Sequence, residues 1–585
     1  MRKLRRSRND DRVSVILRYN TATIKIVNKL LRVLNKEFRG LHQAAFLLGA
    51  SAIFSQALAL LRDRLFAGRF GASGTLDLYY AAFRIPDLLY ASIASFVSVT
   101  VLIPFIIERM DNDRASAGKF LSDVFSVYLT IMFVVSTVAF LFTPFITRLF
   151  FVGFSGEEQA TLIALTRLLL LSPILLGVSN LFGSVTQTAR KFFVYALSPV
   201  LYNLGIIFGV LLLYPSLGIL GLGYGVVFGA ALHLLVQYPV VSEGGLVPRF
   251  SLKVRIEDIK KVVALSLPRT LGLSVYHFTF LILVSFASRM TEGSISIFNL
   301  SFNLQSVPLA IIGISYSVAA FPVLVGSFSR NDMVKFMEDI GTAARHIIFW
   351  SFPITALFIV LRAQIVRTIL GSGRFGWSDT MLAAACLALF SISLIAQSLI
   401  LLFVRGYYAA GNTRKPVVAT VISSVSVIGF SMFLISYFTS TQFFRFFIES
   451  FFRVEGANGT VVLMLPLAYS IGNIINAVLL AIMFRRDFGH SALSVARTFF
   501  QSFSAAVCMG FVAYQSLHIL DAYVFGAIDT LPKIFLQGLL SGMAGIIAGI
   551  ILLKVLGNAE IEEVWRAFHS RFWKVRVFAP EPQEL

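Results

Sequence analysis

Fourteen apolar stretches follow one another through the 585-residue chain, near 43–66, 79–107, 122–144, 160–187, 193–213, 218–240, 262–287, 295–325, 343–361, 380–408, 416–438, 462–484, 497–520 and 534–555. A helix crossing ~30 Å of hydrocarbon needs about 20 mostly apolar residues. One such stretch cannot be told from a buried core helix by periodicity, but fourteen in series with short joints leave little room for that reading. Composition agrees: 57% of residues are apolar and 14% charged, against ~25% charged in a soluble domain. A soluble enzyme, a disulfide-stapled secreted fold and a disordered chain are excluded. The expected fold class is an all-α polytopic membrane protein with about 14 transmembrane helices, the long second and eighth of them bent.

The formal charge of +20 accompanies long apolar runs and points to a membrane rather than to nucleic acid. Fourteen spans place both termini on one side. Of the 50 Lys and Arg, 35 fall on that side, 9 on the other and 6 inside the spans. The positive-inside rule makes both termini cytoplasmic. Residues 1–40 hold neither an 18-residue apolar run nor a small-residue cleavage site, so they do not read as a signal peptide. Val27, Leu30, Leu31, Leu34 and Phe38 recur there at helical spacing among basic residues. That suits either an amphipathic helix on an anionic inner leaflet or a solvated basic tail that fixes topology. Cys386 and Cys508 both fall inside spans, leaving neither a disulfide framework nor a cysteine metal site.

Spans two and eight read alike when LYYAAFRIPDLL is laid over IFNLSFNLQSVP, which sets Phe83 on Phe302 and Arg84 on Asn303 at an offset of 219. The basic turns TARKFF and GNTRKP place Arg190 against Arg414 at an offset of 224. Two independent matches at nearly one period predict two pseudo-repeated six-helix lobes, 41–240 and 262–484. Two extra helices (497–555) and a cytoplasmic tail (556–585) follow. Transporters built from repeats bind substrate where the repeats meet. Pro86 and Pro308 lie in the second span of each lobe, with Pro104 and Pro322 further on; proline bends a membrane helix and frees a carbonyl.

An ionisable side chain at membrane depth costs ~2.5–3.5 kcal/mol on insertion scales, so each needs a reason. The densest group is Arg62, Asp63, Arg64, Asp77, Arg84 and Asp87 around the turn GRFGASG. Arg62 and Asp77 flank that turn and are placed to pair; Arg84 and Asp87 share a helix face. Arg64 and Arg69 read as snorkelling, Arg167 and Arg405 as structural, and His277 as a hydrogen-bonded buried histidine. Arg269 follows Pro268 near the inner end of span seven. Its fork suits either a phosphate or inner-leaflet headgroups. No Walker loop or HExxH appears, and the acidic pairs Asp111/Asp113, Glu157/Glu158 and Glu257/Asp258 lack other ligands, so no cofactor, metal or catalytic residue is expected and the chain is not read as an enzyme.

The stretch IFSQALALLRDRLFAGRFGASGTLDLYYAAFRIPDLL at 53–89, with RKFFVYALSPVLYN, LPRTLGLSV, GSGRFGWSDT and RGYYAAGNTRKPV further on, resembles the MurJ (MviN) lipid II flippases of the MOP exporter superfamily. The resemblance covers most of 41–485. It implies two six-helix lobes around a cavity, two helices forming a groove for a polyprenyl tail, and a role in cell-wall biosynthesis. The implied cargo is an undecaprenyl-type lipid-linked diphosphate glycan moved from the inner to the outer leaflet, with membrane lipids and no nucleic acid as partners. Arg62 and Asp77 match a cavity arginine and an aspartate tied to transport, with Asp77 orienting Arg62. Three further family arginines fall at Gln56, Tyr90 and Asn303, which are departures. The expected binding set is therefore Gln56, Arg62, Asp77, Arg84, Arg269, Asn303 and Gln305. Export of another lipid-linked oligosaccharide or amphipathic compound, a polyprenyl-phosphate-processing membrane enzyme, and an envelope scaffold are the alternatives.

Overall fold

The computed structural model describes residues 41–489, 492–526 and 530–572; the basic segment 1–40 and the end of the tail lie outside the described residues. All regular structure among the described residues is helical. The first half runs through α1 (Leu41–Phe70), α2 (Gly74–Ala82), α3 (Arg84–Ile93), α4 (Val99–Asn112), α5 (Arg114–Phe150), α6 (Gly156–Leu169), α7 (Leu171–Thr188), α8 (Phe192–Phe208), α9 (Ile219–Leu235) and α10 (Ile256–Ser288). The second runs through α11 (Ser294–Leu309), α12 (Ser315–Ser329), α13 (Met333–Val360), α14 (Arg362–Leu370), α15 (Trp377–Ile392), α16 (Leu394–Ala409), α17 (Arg414–Ser440), α18 (Gln442–Phe452), α19 (Met464–Phe488), α20 (Ala492–Leu520), α21 (Leu531–Val555) and α22 (Ala559–Phe572).

Each of the fourteen expected stretches is helical. Among the described residues, eleven helices are long and apolar enough to cross a membrane, twelve with α15 and α16 taken as one span bent by 43°. The first two expected spans are not among these, although α1 holds a charge-free apolar run at 44–61 before Arg62, Asp63, Arg64 and Arg69. Span two is broken rather than bent: a turn at Phe83 separates α2 from α3, and a 3₁₀ turn at Ala94–Val97 precedes α4. Pro86 sits in the first turn of α3, where a missing N–H breaks no helical bond. Span eight keeps its course through a π turn, Ala310–Ile314, just after Pro308.

The helices are polarised in the sense opposite to a soluble fold. On the 37-residue α5, Met132, Ser136, Ala139, Thr143 and Thr147 are buried while Phe133, Leu141, Phe142, Phe145 and Leu149 are exposed. Small and hydroxyl side chains pack inward because lipid tails solvate leucine and phenylalanine as well as a protein core does. The hydroxyls are satisfied within the helix: Thr143 donates to the Ala139 carbonyl at 2.6 Å and Thr147 to the Thr143 carbonyl at 2.9 Å. Where chain leaves the helix, caps do the same work. The Asp113 carboxylate accepts from the Ala115 amide, and Ser155 with Glu158 forms a reciprocal capping box on α6.

The chain divides into two compact units, the first made of the described residues up to Leu65 with Leu78–Leu281, the second of Phe66–Asp77 with the described residues from Ile282 on. In the first unit, Leu102, Ile106, Phe120, Leu121, Met132 and Leu181 form the main apolar core. α8 and α9 cross at glycines: a Cβ on Gly205 would lie 2.2 Å from Gly229 Cα, and one on Gly225 would lie 2.5 Å from Gly209 Cα. In the second unit Phe336, Ile340, Leu402, Tyr407, Leu480 and Phe484 make the core. There α20 and α21 pack on one another and on α13. Gly545 approaches the Met509 carbonyl, Phe352 meets Phe499 and Phe503, and Glu560, buried, takes Arg345 at 3.3 Å and the Thr498 hydroxyl at 2.9 Å.

Replacing Gly225 with Val should destabilise the protein by about 1–3 kcal/mol, the usual cost of overpacking. Gly429→Ala, whose Cβ meets nothing within 4 Å, should be near neutral. Thermal unfolding of the detergent-solubilised variants reads the difference.

Candidate functional site

Within the first unit, buried charge gathers where α1, α3, α8 and α10 present polar side chains. Arg62, 20% exposed, donates from Nε and Nη2 to Asp63 Oδ1 at 3.0 and 2.8 Å, and from Nη1 to Asn203 Oδ1 at 3.1 Å. Asn203 is itself held, its amide nitrogen donating to the Pro199 carbonyl at 3.1 Å and to Ser55 Oγ at 3.4 Å. A guanidinium has five N–H donors, so two of those on Arg62 carry no protein hydrogen bond among the described residues. Asp63 neutralises the charge, and Asn203 fixes the plane of the fork.

Nearby in sequence, Arg84 donates to the Tyr80 carbonyl at 3.2 Å and stands 5.9 Å from the centre of the Phe280 ring. Asp87, one turn on, interacts electrostatically with both Arg84 and His277. His277 is half-buried, turned edge-on to Tyr276, and makes no hydrogen bond among the described residues. The expectation of a hydrogen-bonded buried histidine is therefore corrected: its neighbours are charged rather than acceptors in range. α3 is further tied by Ser92 to Ser274 of α10 at 2.9 Å and by the Asn180 amide, which donates to the Tyr90 hydroxyl at 2.8 Å. Gln56 is half-buried and Arg269 exposed. Arg167 and Arg405 are structural: Arg167 donates to the Phe140 carbonyl at 3.0 Å, and Arg405 to Ser317 Oγ at 3.1 Å.

Asp77 does not pair with Arg62, whose carboxylate partner is the adjacent Asp63. Lying in the second unit, Asp77 is 4% exposed and accepts from the Gly293 amide at 2.7 Å, the Ser296 amide at 2.7 Å and the Ser296 hydroxyl at 2.5 Å. The reason is positional. Asp77 belongs to the first turn of α2, and its carboxylate caps the N-terminus of α11, where amides are unsatisfied and the helix dipole favours a negative charge. Around it the turn 71–74 is fastened twice more: the Gly74 amide donates to Glu292 Oε1 at 2.7 Å, and the Arg374 amide donates to the Gly68 carbonyl at 2.8 Å. Gly293 has φ +89°, and a Cβ there would stand 2.5 Å from the Ala72 carbonyl oxygen. The GRFGASG turn is thus latched to the loops before α11 and α15.

Asn303 is half-buried, its carbonyl accepting from the Ser306 hydroxyl at 2.6 Å. Gln305 is fully buried, and neither polar atom of its amide has a hydrogen-bond partner among the described residues. Of the seven expected residues, Gln56, Arg62, Arg84 and Arg269 belong to the first unit, and Asp77, Asn303 and Gln305 to the second. Sequence reasoning missed Asn203, Gly293, Ser296 and Glu292. Asn203 closes the quoted motif SPVLYN and Gly293–Ser294 precedes an apolar run, yet only the fold brings them to Arg62 and Asp77.

A family model described as lipid II flippase MurJ matches residues 66–532. A probable lipid II flippase MurJ of Thermotoga maritima is 26% identical over 522 residues, covering 89% of this chain and 98% of that protein. The Haemophilus influenzae protein of the same description is 28% identical over 407 residues, covering 66% and 79%. Among solved structures, the chain is similar in fold to a lipid II flippase MurJ in an inward closed conformation, with TM-score 0.68, 22% identity and coverage of 87% and 99%. It is also similar to an inward-facing multidrug resistance MATE family transporter of the MOP superfamily, with TM-score 0.60, 16% identity and coverage of 75% and 96%.

The latch has a direct test. A Cβ on Gly74 would lie 3.4 Å from Glu292 Cγ, close to the spacing of a disulfide. In a chain lacking Cys386 and Cys508, Gly74→Cys with Glu292→Cys should cross-link under mild oxidation, seen as protection from a thiol-reactive mass tag. Adding Gly293→Ala should reduce that cross-linking.

Proposed function

The chain belongs to the lipid II flippase MurJ family, and from that premise we propose that it carries lipid II across the inner membrane for cell-wall synthesis, with Arg62 holding the cargo's diphosphate. The observation that carries this role is the state of Arg62. It is a guanidinium at membrane depth, oriented by Asp63 and Asn203, with two donors left over. A diphosphate accepts paired, charge-assisted hydrogen bonds from such a fork. Arg84 adds a second positive charge, and the Tyr90 and Asn180 pair offers neutral polar groups where the family resemblance implies an arginine.

A headgroup bearing a disaccharide, a peptide and a diphosphate cannot cross hydrocarbon unaided. Translocation then means exposing Arg62 first to one leaflet and afterwards to the other, the tail remaining in lipid. The two-lobe organisation supports such a cycle. At the repeat offset of 219, the 3₁₀ turn Ala94–Val97 maps to 313–316 and overlaps the end of the π turn Ala310–Ile314, so corresponding spans carry an irregular turn at nearby positions. With cytoplasmic termini, as the charge bias favours, the Asp77 latch lies at the outer end, and its release accompanies exit to the outer leaflet. Asp77 thereby acts on transport through α11 rather than through Arg62. No bond in the cargo is made or broken. Gln56, Tyr90 and Asn303 in place of arginines also favour a second reading, a less phosphate-rich or differently glycosylated lipid carrier.

Arg62→Ala should abolish growth of a flippase-depleted cell that relies on this protein, and should cut protection-sensitive lipid II on the outer surface by at least ~10-fold, as expected for loss of charge-assisted hydrogen bonds, while membrane insertion is unchanged. Arg62→Lys, which keeps charge but loses the fork, should retain partial activity. Normal growth of Arg62→Ala would remove the assigned role. Asn203→Ala should fall between wild type and Arg62→Ala, measured by the same external probe.

A further inference from the structure

In the second unit, a cavity of about 720 Å³ opens where the end of α13, the starts of α14 and α15, the end of α18, the end of α20 and the start of α21 converge. Arg362, Arg367 and Arg453 all line it, and Asp521 is the single carboxylate among its described lining residues. None of the three arginines has an ion pair among the described residues. Arg362 donates to the Ile359 carbonyl at 2.9 Å, Arg367 to the Phe375 carbonyl at 2.9 Å, and Arg453 to the Tyr514 hydroxyl at 3.1 Å. Elsewhere in the fold partly buried arginines do find carboxylates, as Arg109 does with Asp258 at 2.7 Å and Arg345 with Glu560 at 3.3 Å. Burial first, and the neighbouring Arg453 charge second, lower the pKa of Arg362 from its ordinary value. Three arginines thus share this cavity with one lining carboxylate, and none of the three is ion-paired among the described residues.

What stands beside the cavity identifies the kind of anion. α18, QFFRFFIESFF, leaves Phe443, Phe446, Phe447 and Phe451 exposed while Ile448 and Phe452 turn inward. Four exposed phenylalanines on an eleven-residue helix suit the boundary between acyl chains and headgroups. The chain ends that helix at Arg453 in a left-handed cap with φ +57°, and Arg453 lines the cavity. Gln364 and the buried Gln537 add polar groups, joined by a hydrogen bond of 3.3 Å. The result is a cationic pocket with an apolar shelf at its rim.

We propose that this cavity binds the phosphate headgroup of an anionic phospholipid, gripped by Arg362, Arg367 and Arg453, with the acyl chains lying along the phenylalanines of α18. Arg62 belongs to the other unit, and the occupant of this cavity is a lipid of the surrounding leaflet. The shared chemistry is a phosphate; the apolar shelf selects a lipid over free phosphate.

Trp377 lines the cavity and reports occupancy by its fluorescence. The delipidated full chain in detergent is titrated separately with short-chain phosphatidylglycerol, short-chain phosphatidylcholine and inorganic phosphate. The expected result is a saturable response to phosphatidylglycerol that weakens with salt, is absent from Trp377→Phe, and shifts to roughly ten-fold higher concentration for each arginine replaced in Arg362→Gln and Arg453→Gln. Arg445→Gln, whose parent pairs with Glu449 on α18, should bind as wild type does. Equal responses to the two lipids, or unchanged affinity in the arginine variants, would overturn the proposal. A response to inorganic phosphate at the concentration that suffices for phosphatidylglycerol would overturn the lipid assignment in favour of a free-anion site. If the arginine variants do not fold, salt-insensitive binding to the wild-type chain overturns it equally. Lipid II translocation is not read in this experiment, so its outcome stands apart from the transport role of Arg62.

Discussion

In hydrocarbon every backbone N–H and C=O must find a partner within the protein, and hiding an apolar side chain brings no gain. Those two conditions explain most of this fold. The first makes all regular structure among the described residues helical and puts caps such as Asp113 and Ser155 where helices end. The second decides what the helices bury. α5 turns Ser136, Ala139, Thr143 and Thr147 inward and phenylalanine outward, and α8 meets α9 through glycines whose backbones touch. Close backbone approach supplies the dispersion contact that a leucine core supplies in water.

Charge obeys the same constraint more strictly. A carboxylate or guanidinium inside the membrane persists where paired or held by several hydrogen bonds, and each here has a recognisable arrangement. Arg62 is neutralised by the residue next to it and aligned by Asn203. Asp77 takes three hydrogen bonds at a helix N-terminus and becomes a latch. Outside the apolar spans, Glu560 joins Arg345 and Thr498, fastening the last helices to α13. Arg62 retains unused donors, and Arg362, Arg367 and Arg453 have no ion pair among the described residues. Those departures are where phosphate is proposed to bind, in the cargo and in lipid.

Much of this was legible in the sequence, and particular residues show where legibility stopped. All fourteen stretches are helical, and family membership followed from motifs such as RDRLFAGRFGASG. Breaks in span two were harder to read, because Pro86 signals a disturbance without saying that Phe83 is where the helix stops. The pairing of Arg62 with Asp77 looked natural across a short turn, yet a nearer carboxylate, Asp63, was available. The α11 amides then offered Asp77 a better partner than another side chain. Asn203 and Ser296 are 141 and 219 residues from the groups they serve, and single-sequence patterns carry no information over such separations.

By itself the sequence determined the solvent, the helices, the family and the few charges that require explanation. These follow from hydropathy, local spacing and motif, which are properties of neighbouring residues. Tertiary structure alone decided which acceptor each buried donor meets, which turn is latched to which loop, and that three arginines from two segments share one cavity. Partnership at membrane depth depends on which chemically suitable group arrives within ~3 Å, and only the packed chain settles that.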